Sequence, residues 1–244
     1  MKPEPKPSSV SFVIPCYNEA GRLEPGLSEA IKFLEARLGS KLSLVFVNDG
    51  STDRTGEVLA SCRDKFSHIP IEIIEYWPNR GKGYAVKRGV LQAGGEKVVV
   101  TDADFSVDLE EALKFIAKLA EFAIVIGTKK HAATQSIKHQ AWLRRFLGKG
   151  FTVLTNLWLG INFSDITCGL KAFRREAAQA IFSRQRLDRW SYDAEILYLA
   201  SRAGYRIAEL PVRWRHVEGS KVVPFLDTIR SFKELMAIRL YHLK

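Results

Sequence analysis

The chain is short of cysteine, of long apolar runs and of acidic residues, and each shortage excludes something. Cys16, Cys62 and Cys168 are odd in number, far apart and form no CxxC pair, so neither a disulfide framework nor a cysteine zinc site is indicated. A reducing, cytosolic setting fits that usage. Nowhere do about 18 uncharged apolar residues run together, which leaves no candidate membrane span. Residues 1–9 carry Lys2, Pro3, Pro5, Lys6 and Pro7 without an apolar stretch, and read as a flexible leader and not a signal peptide. Acidic residues number 27 against 37 lysines and arginines, a formal charge of +10. That excess favours an anionic partner, whether nucleotide, nucleic acid or acidic membrane, without choosing among them. The glycine-containing segments match neither a Walker A sequence nor a GxGxxG fingerprint, which takes support from ATPase and dinucleotide oxidoreductase readings.

What is present is a globular chain of 244 residues, 46% hydrophobic and 26% charged, long enough for a substantial core in one large domain or two small ones. Short apolar runs at 10–15, 42–47, 71–76, 98–101 and 122–127 read as strands. Segments with helical periodicity separate them, at 23–38, up to about 66, through 93, and 107–120. Strand alternating with helix at this interval predicts an α/β fold with a mostly parallel sheet and right-handed crossovers. The loops that follow the strands then share one edge.

The strongest local feature of that edge is Lys97-Val-Val-Val-Thr-Asp-Ala-Asp104. A β-branched run suited to a strand buried on both faces ends in two carboxylates one residue apart. Alternation along an extended backbone points Asp102 and Asp104 to the same side. Such a pair needs a cation between its members or a proton on one of them, and a divalent metal shared with phosphate oxygens, Mg2+ or Mn2+, meets that need. The competing structural account is a turn in which Asp104 or Ser106 caps the next helix. Tyr17, Asn18, Glu19, Asp49, Ser51, Asp53, Asn79, Arg80 and Lys82 fall on the same edge. Each has a turn or capping explanation alone, but together they suit base, ribose and phosphate. Gly81 and Gly83 would let backbone N–H groups and Lys82 approach an anion.

Past Gly127 the alternation stops. Basic and aromatic residues interleave from Lys129 to Trp158, on a loop and then a helix over about 139–159, where RNA or lipid headgroups would be met equally well. A polar turn, 165–171, precedes a short strand, and Trp190-Ser-Tyr-Asp-Ala-Glu195 opens a helix to about Ala203. Asp193 and Glu195 cannot share a helix face, so at most one points into a site. Strands are expected at 205–210 and 212–217. From Phe225 the stripe Ile229, Phe232, Met236, Leu240 and Leu243 predicts an amphipathic C-terminal helix over 221–244, which either docks on the core or lies in a membrane interface.

Taken together, Ile14-Pro-Cys-Tyr-Asn-Glu19, Asn48-Asp-Gly-Ser-Thr-Asp53, Asn79-Arg-Gly-Lys-Gly83 and Asp102-Ala-Asp104 resemble family 2 glycosyltransferases of the GT-A fold. Asp165-Ile-Thr-Cys-Gly-Leu-Lys-Ala-Phe173, Arg189-Trp-Ser-Tyr-Asp-Ala-Glu195 and Glu218-Gly-Ser-Lys-Val-Val-Pro-Phe225 narrow the resemblance to the dolichyl-phosphate β-glucosyltransferase type. It covers the chain from about Val10 onward.

The resemblance implies an inverting transfer of sugar from a nucleotide sugar, UDP-glucose first, to a polyprenyl phosphate. A divalent metal, an anionic membrane surface at its cytosolic face and no nucleic acid go with it. GDP-mannose as donor, or a soluble acceptor, is the alternative within the family, and a basic nucleic-acid-binding protein the alternative outside it. A nucleotide-sugar half would span about 10–128 and an acceptor half about 129–220. Pro15, Tyr17, Asn18, Glu19, Asp49, Ser51, Gly81, Lys82, Asp102 and Ala103 would bind the donor. Asp102 and Asp104 would hold the metal, with Asp104, Asp165 and Glu195 as catalytic candidates. Lys129, Lys171, Ser220 and Lys221 would face acceptor or phosphate. Two departures from the family pattern stand out: Phe105 follows the dyad where glycine is common, and Gly127-Thr-Lys-Lys replaces a Gly-Ser-Arg, which loses bidentate geometry.

Overall fold

The computed structural model describes residues 9–129, 142–215 and 224–242, with the side chains of 142–149 and 224–229 left aside. The strands are β1 (Val10–Cys16), β2 (Leu42–Asp49), β3 (Ile71–Tyr76), β4 (Lys97–Val100), β5 (Ile124–Thr128), β6 (Lys171–Arg174) and β7 (Ile207–Pro211). The helices are α1 (Ala20–Leu38), α2 (Thr55–Lys65), α3 (Lys82–Gln92), α4 (Leu109–Lys118), α5 (Trp142–Leu159), α6 (Arg175–Phe182), α7 (Tyr192–Arg202) and α8 (Pro224–Tyr241).

One seven-stranded sheet runs in the order β3-β2-β1-β4-β6-β5-β7. All its pairings are parallel except those of β6, which lies antiparallel between β4 and β5. The expected mostly parallel α/β fold is therefore present, as a mixed sheet. A strand from the second half of the sequence is inserted into it, so both halves share one sheet.

The two-residue period of the strands sorts their side chains into two cores. Phe12, Ile14, Leu44, Phe46 and Val99 pack with α1, α2 and α4 on one face. Val13, Val45, Val47, Val98 and Val100 pack with α3, α6, α7 and the C-terminal part of α8 on the other. Each fully buried aliphatic or aromatic side chain contributes about 1.5–3 kcal/mol. β4 has Val98, Val99 and Val100 all buried, as its unbroken β-branched run requires of a central strand.

Local expectations fail in three places. Val212–Val217 is no strand within the described residues: Trp214 makes only an isolated bridge to Val107. Helix α6 had no strong signal, because eight residues hold too few turns for a clear period. In α8 the buried face is Leu235, Ile238 and, just beyond the helix, His242, whereas Phe232 is 48% and Leu240 70% exposed. Of the stripe read from sequence, Phe232 and Leu240 are turned to solvent and Met236 packs against the core, while the side chains of Ile229 and Leu243 lie outside the described residues. Both faces of α8 carry apolar residues, and periodicity alone could not tell which would be covered.

Candidate active site

β4 delivers Asp102 and Asp104 to the sheet edge where β1 and β2 also end. Asp102 Oδ1 accepts a 2.5 Å bond from Lys82 Nζ, whose carbon chain starts α3. Both side chains are partly screened, 31% and 20% exposed. Burial works against charge on each, but their mutual attraction outweighs it: Asp102 lies below the usual carboxylate range and Lys82 above the usual lysine range. Asp193 and Asp104 hold Lys82 up further, and Lys129 and Lys171 hold Asp102 down. Lys82 thus supplies positive charge to Asp102, the member of the dyad that it bonds.

Two backbone features shape the dyad. A methyl group on Gly169 would sit 2.0 Å from Asp102 Oδ2, so the loop before β6 can pass only as glycine. Phe105 takes φ +44°, a left-handed conformation that costs a bulky residue but not a glycine. The capping account of the dyad fails: α4 is capped by Asp108, whose carboxylate accepts the Glu110 N–H at 3.0 Å. Asp104 Oδ1 accepts the Ser106 N–H at 2.9 Å within the turn.

Among the described residues no cluster of three or more histidine, cysteine or acidic side chains could hold a metal. A hard divalent ion of the Mg2+ type needs only one or two carboxylates and takes its other ligands from substrate phosphates and water. Asp102 and Asp104, each with one oxygen outside the hydrogen bonds just described, could supply those carboxylates.

The neighbouring loops are built by carboxylates and amides whose bonding capacity is spent on backbone. Asp49, 3% exposed, accepts from Arg80 N at 2.8 Å, Gly81 N at 2.9 Å and Asn79 Nδ2 at 2.7 Å. It holds the turn that presents Lys82. Gly81 there has φ +112°, and a methyl on it would meet the Asp188 carbonyl at 2.6 Å, which fixes glycine at that point. Asn18 at φ +52° accepts Thr52 N at 2.7 Å, while its own N–H bonds to Ser51 Oγ at 2.9 Å. Glu19 pairs with Arg22 at 3.0 Å, and its backbone N–H bonds to Thr55 Oγ1 at 2.8 Å. Asn18, Ser51 and Glu19 thereby tie the loop after β1 to the loop after β2. Pro15 and Tyr17 are half-buried beside them, and Ala103 is buried between the two carboxylates.

On the other side of the dyad, several residues expected to act on substrate are engaged in structure. Asp165 is fully buried, and its carboxylate accepts from Lys129 N, Thr167 N and Thr167 Oγ1 at 3.0–3.1 Å. It shapes the loop and sets Lys129, whose ammonium lies 5.6 Å from the Trp214 ring centroid. Lys171 is 2% exposed and divides its ammonium between Asp193 at 2.5 Å and the Cys168 carbonyl at 2.6 Å. That leaves it a strut joining β6 to α7, not a surface for phosphate. Glu195 is buried on α7 with both oxygens occupied by backbone N–H groups of Arg186 and Leu187. Ser220 and Lys221 lie outside the described residues.

Of the two acids of α7, Asp193 is the one that communicates with the dyad, through Lys171 and through its field at Lys82. The Asp-x-Glu spacing signalled that only one acid could face the site, but not which. Gly169 and Trp190, whose ring centroid lies 5.8 Å from Lys82 Nζ, were likewise unmarked as site residues.

With this geometry in place, comparison with known proteins is decisive for the family. The profile of glycosyl transferase family 2 matches residues 11–182. Dolichyl-phosphate β-glucosyltransferase of Mus musculus is 36% identical over 245 residues, 96% of this chain and 76% of that protein. The enzyme of the same name from Saccharomyces cerevisiae is 36% identical over 251 residues, 96% and 75% respectively. Among solved structures, glucosyl-3-phosphoglycerate synthase of Mycobacterium tuberculosis, in complex with Mn2+, UDP-glucose and glycerol 3-phosphate, superposes with a TM-score of 0.64. It does so at 17% identity, over 96% of this chain and 79% of that one. The acidic pair at the end of β4, the lysine-bearing turn beside it and these likenesses lead to one assignment: the chain belongs to glycosyl transferase family 2, in the group formed by the dolichyl-phosphate β-glucosyltransferases.

Proposed function

We propose that the protein transfers glucose from UDP-glucose to a polyprenyl phosphate of the dolichyl type, in a single inverting displacement. The observation that carries this reading is the Asp102–Asp104 pair, each member with an oxygen outside its protein hydrogen bonds, with Lys82 bonded to Asp102 and the charge of Lys129 acting on Asp102 as well. The names of the relatives supply the sugar and acceptor, and the Mn2+ and UDP-glucose bound by the mycobacterial neighbour support the donor. When bound, the divalent ion supplies Lewis-acid neutralisation of the departing diphosphate. Asp102 and Asp104 would hold it, and Lys82 and Lys129 would add positive charge around the same phosphates. Pro15, Tyr17, Asn18, Glu19 and Ser51 form the loops toward the nucleoside.

A phosphate monoester has a second pKa near 6 and is largely dianionic at neutral pH, so the acceptor brings its own nucleophile. This removes the need for a strong general base and agrees with the buried, fully bonded state of Asp165 and Glu195. We place the work at the cytosolic face of a membrane. No helix among the described residues is long and apolar enough to cross one. Val153, Leu157, Phe232, Leu240 and Tyr241 are exposed on α5 and α8, and basic side chains near an anionic surface add about 1 kcal/mol each. Incubation with radiolabelled UDP-glucose or GDP-mannose and polyprenyl phosphate, with and without EDTA, tests the reading. Glucose transfer to lipid that EDTA abolishes is expected, and mannose transfer would overturn the donor assignment.

A further inference from the structure

Glu195 collects three donors at the centre of the helical layer. Arg186 N–H reaches it at 2.9 Å and Leu187 N–H at 2.8 Å. His242 Nε2 lies 2.7 Å from the same oxygen that Arg186 uses. A carboxylate has no proton to give, so that contact is donated by the imidazole. His242 is 7% exposed and sits one residue beyond α8. A second link joins the same helix to the same region, Ser191 Oγ to the Ser231 carbonyl at 3.2 Å.

The segment that Glu195 holds is the back wall of the Lys82 turn. Tyr84 N–H bonds to the Asp188 carbonyl at 3.0 Å, Gln185 Nε2 to the Gly83 carbonyl at 2.9 Å, and Lys87 Nζ to the Gln185 carbonyl at 2.6 Å. There is no slack between wall and turn: a methyl on Gly83 would lie 2.7 Å from the Leu187 carbonyl. Any shift of residues 186–188 must therefore move the turn.

We propose that His242 and Glu195 form a positioning latch, through which the seating of the C-terminal helix fixes residues 186–188, the Lys82 turn and hence donor affinity. The inference rests on the reading of that turn as the donor phosphate site. Neither residue touches substrate; both act through the backbone they hold.

The test is calorimetric titration of UDP-glucose with Mn2+, with steady-state KM for donor and for polyprenyl phosphate, on the full chain. His242→Ala should raise donor Kd and KM roughly 10- to 100-fold, the weight of one lost charge-assisted bond. Acceptor KM should stay near wild type, and the melting temperature should fall by no more than the few degrees that one buried hydrogen bond is worth. His242→Gln, which keeps a side-chain N–H donor, should recover most of the loss. Glu195→Gln replaces one acceptor oxygen by a donor that faces a backbone N–H, so it should weaken donor binding similarly and decides the matter if His242→Ala does not fold. Unchanged donor affinity in folded variants would overturn the latch, as would donor and acceptor KM rising together in step with a lowered melting temperature. A wild-type protein that bound no UDP-glucose would instead overturn the donor reading beneath it.

Discussion

The sheet edge and the helical layer behind it both use buried or half-buried carboxylates, yet in opposite ways. At the edge, Asp102 bonds to Lys82 and Asp104 to one backbone N–H, and each keeps an oxygen outside those bonds. In the loops and helices around it, Asp49, Asp165 and Glu195 have both oxygens engaged, largely by backbone N–H groups. A carboxylate whose lone pairs are consumed by backbone shapes the chain, and one with capacity left over is available to a ligand. Residue type and spacing do not separate the two; the bonding does.

That contrast can be broken first at the edge. Asp104→Ala should lower sugar transfer by about 10³-fold or more while leaving the melting temperature within a few degrees, because it removes charge stabilisation and little packing. Comparable loss of turnover and of stability would erase the distinction. Next comes the buried strut. Lys171→Met leaves Asp193 unpaired and should cost about 3–5 kcal/mol in denaturant unfolding, and adding Asp193→Leu should restore most of that stability without restoring turnover.

The fully bonded acids give a smaller effect of the other kind. Asp165→Asn should cost about 1–3 kcal/mol by setting an amide N–H2 against a backbone donor. Its effect on turnover with a phosphate acceptor should be modest, and a collapse of turnover in a folded variant would return Asp165 to the role of base. The least effect is expected from pH. Asp102 is held below its ordinary range chiefly by Lys82 against the pull of burial. Its contribution to stability is therefore complete above the unfolded value of about 4 and is lost as pH falls through the lower folded value. Asp102→Asn should remove that part of the acid sensitivity in a thermal melt followed between about pH 5 and 2.

Much of the fold was legible because it rests on short-range pattern. The β-branched run before Asp102, the strand spacing and the glycine turn at 81–83 each predicted their element, and the parallel alternation predicted a common edge. What pattern could not supply was order across the sheet. Nothing in Lys171–Arg174 announced that it would enter between β4 and β5, since antiparallel insertion depends on partners far away in the chain. The same limit governs the site. Asp102 and Asp104 stood out through their position at a strand end, whereas the choice of Asp193 over Glu195 depended on which side of α7 met β6. Gly169 acquired its importance only from the Asp102 side chain packed against it. The buried side of α8 was set by what lay beneath Leu235 and Ile238.

The most direct test of the difference between open and consumed carboxylates is calorimetric binding of UDP-glucose with and without Mn2+, comparing wild type, Asp104→Ala and Asp165→Asn. The account predicts metal-dependent binding that Asp104→Ala abolishes and a folded Asp165→Asn keeps within about tenfold, the scale of one lost hydrogen bond. Binding that survives Asp104→Ala and disappears in a folded Asp165→Asn would contradict it.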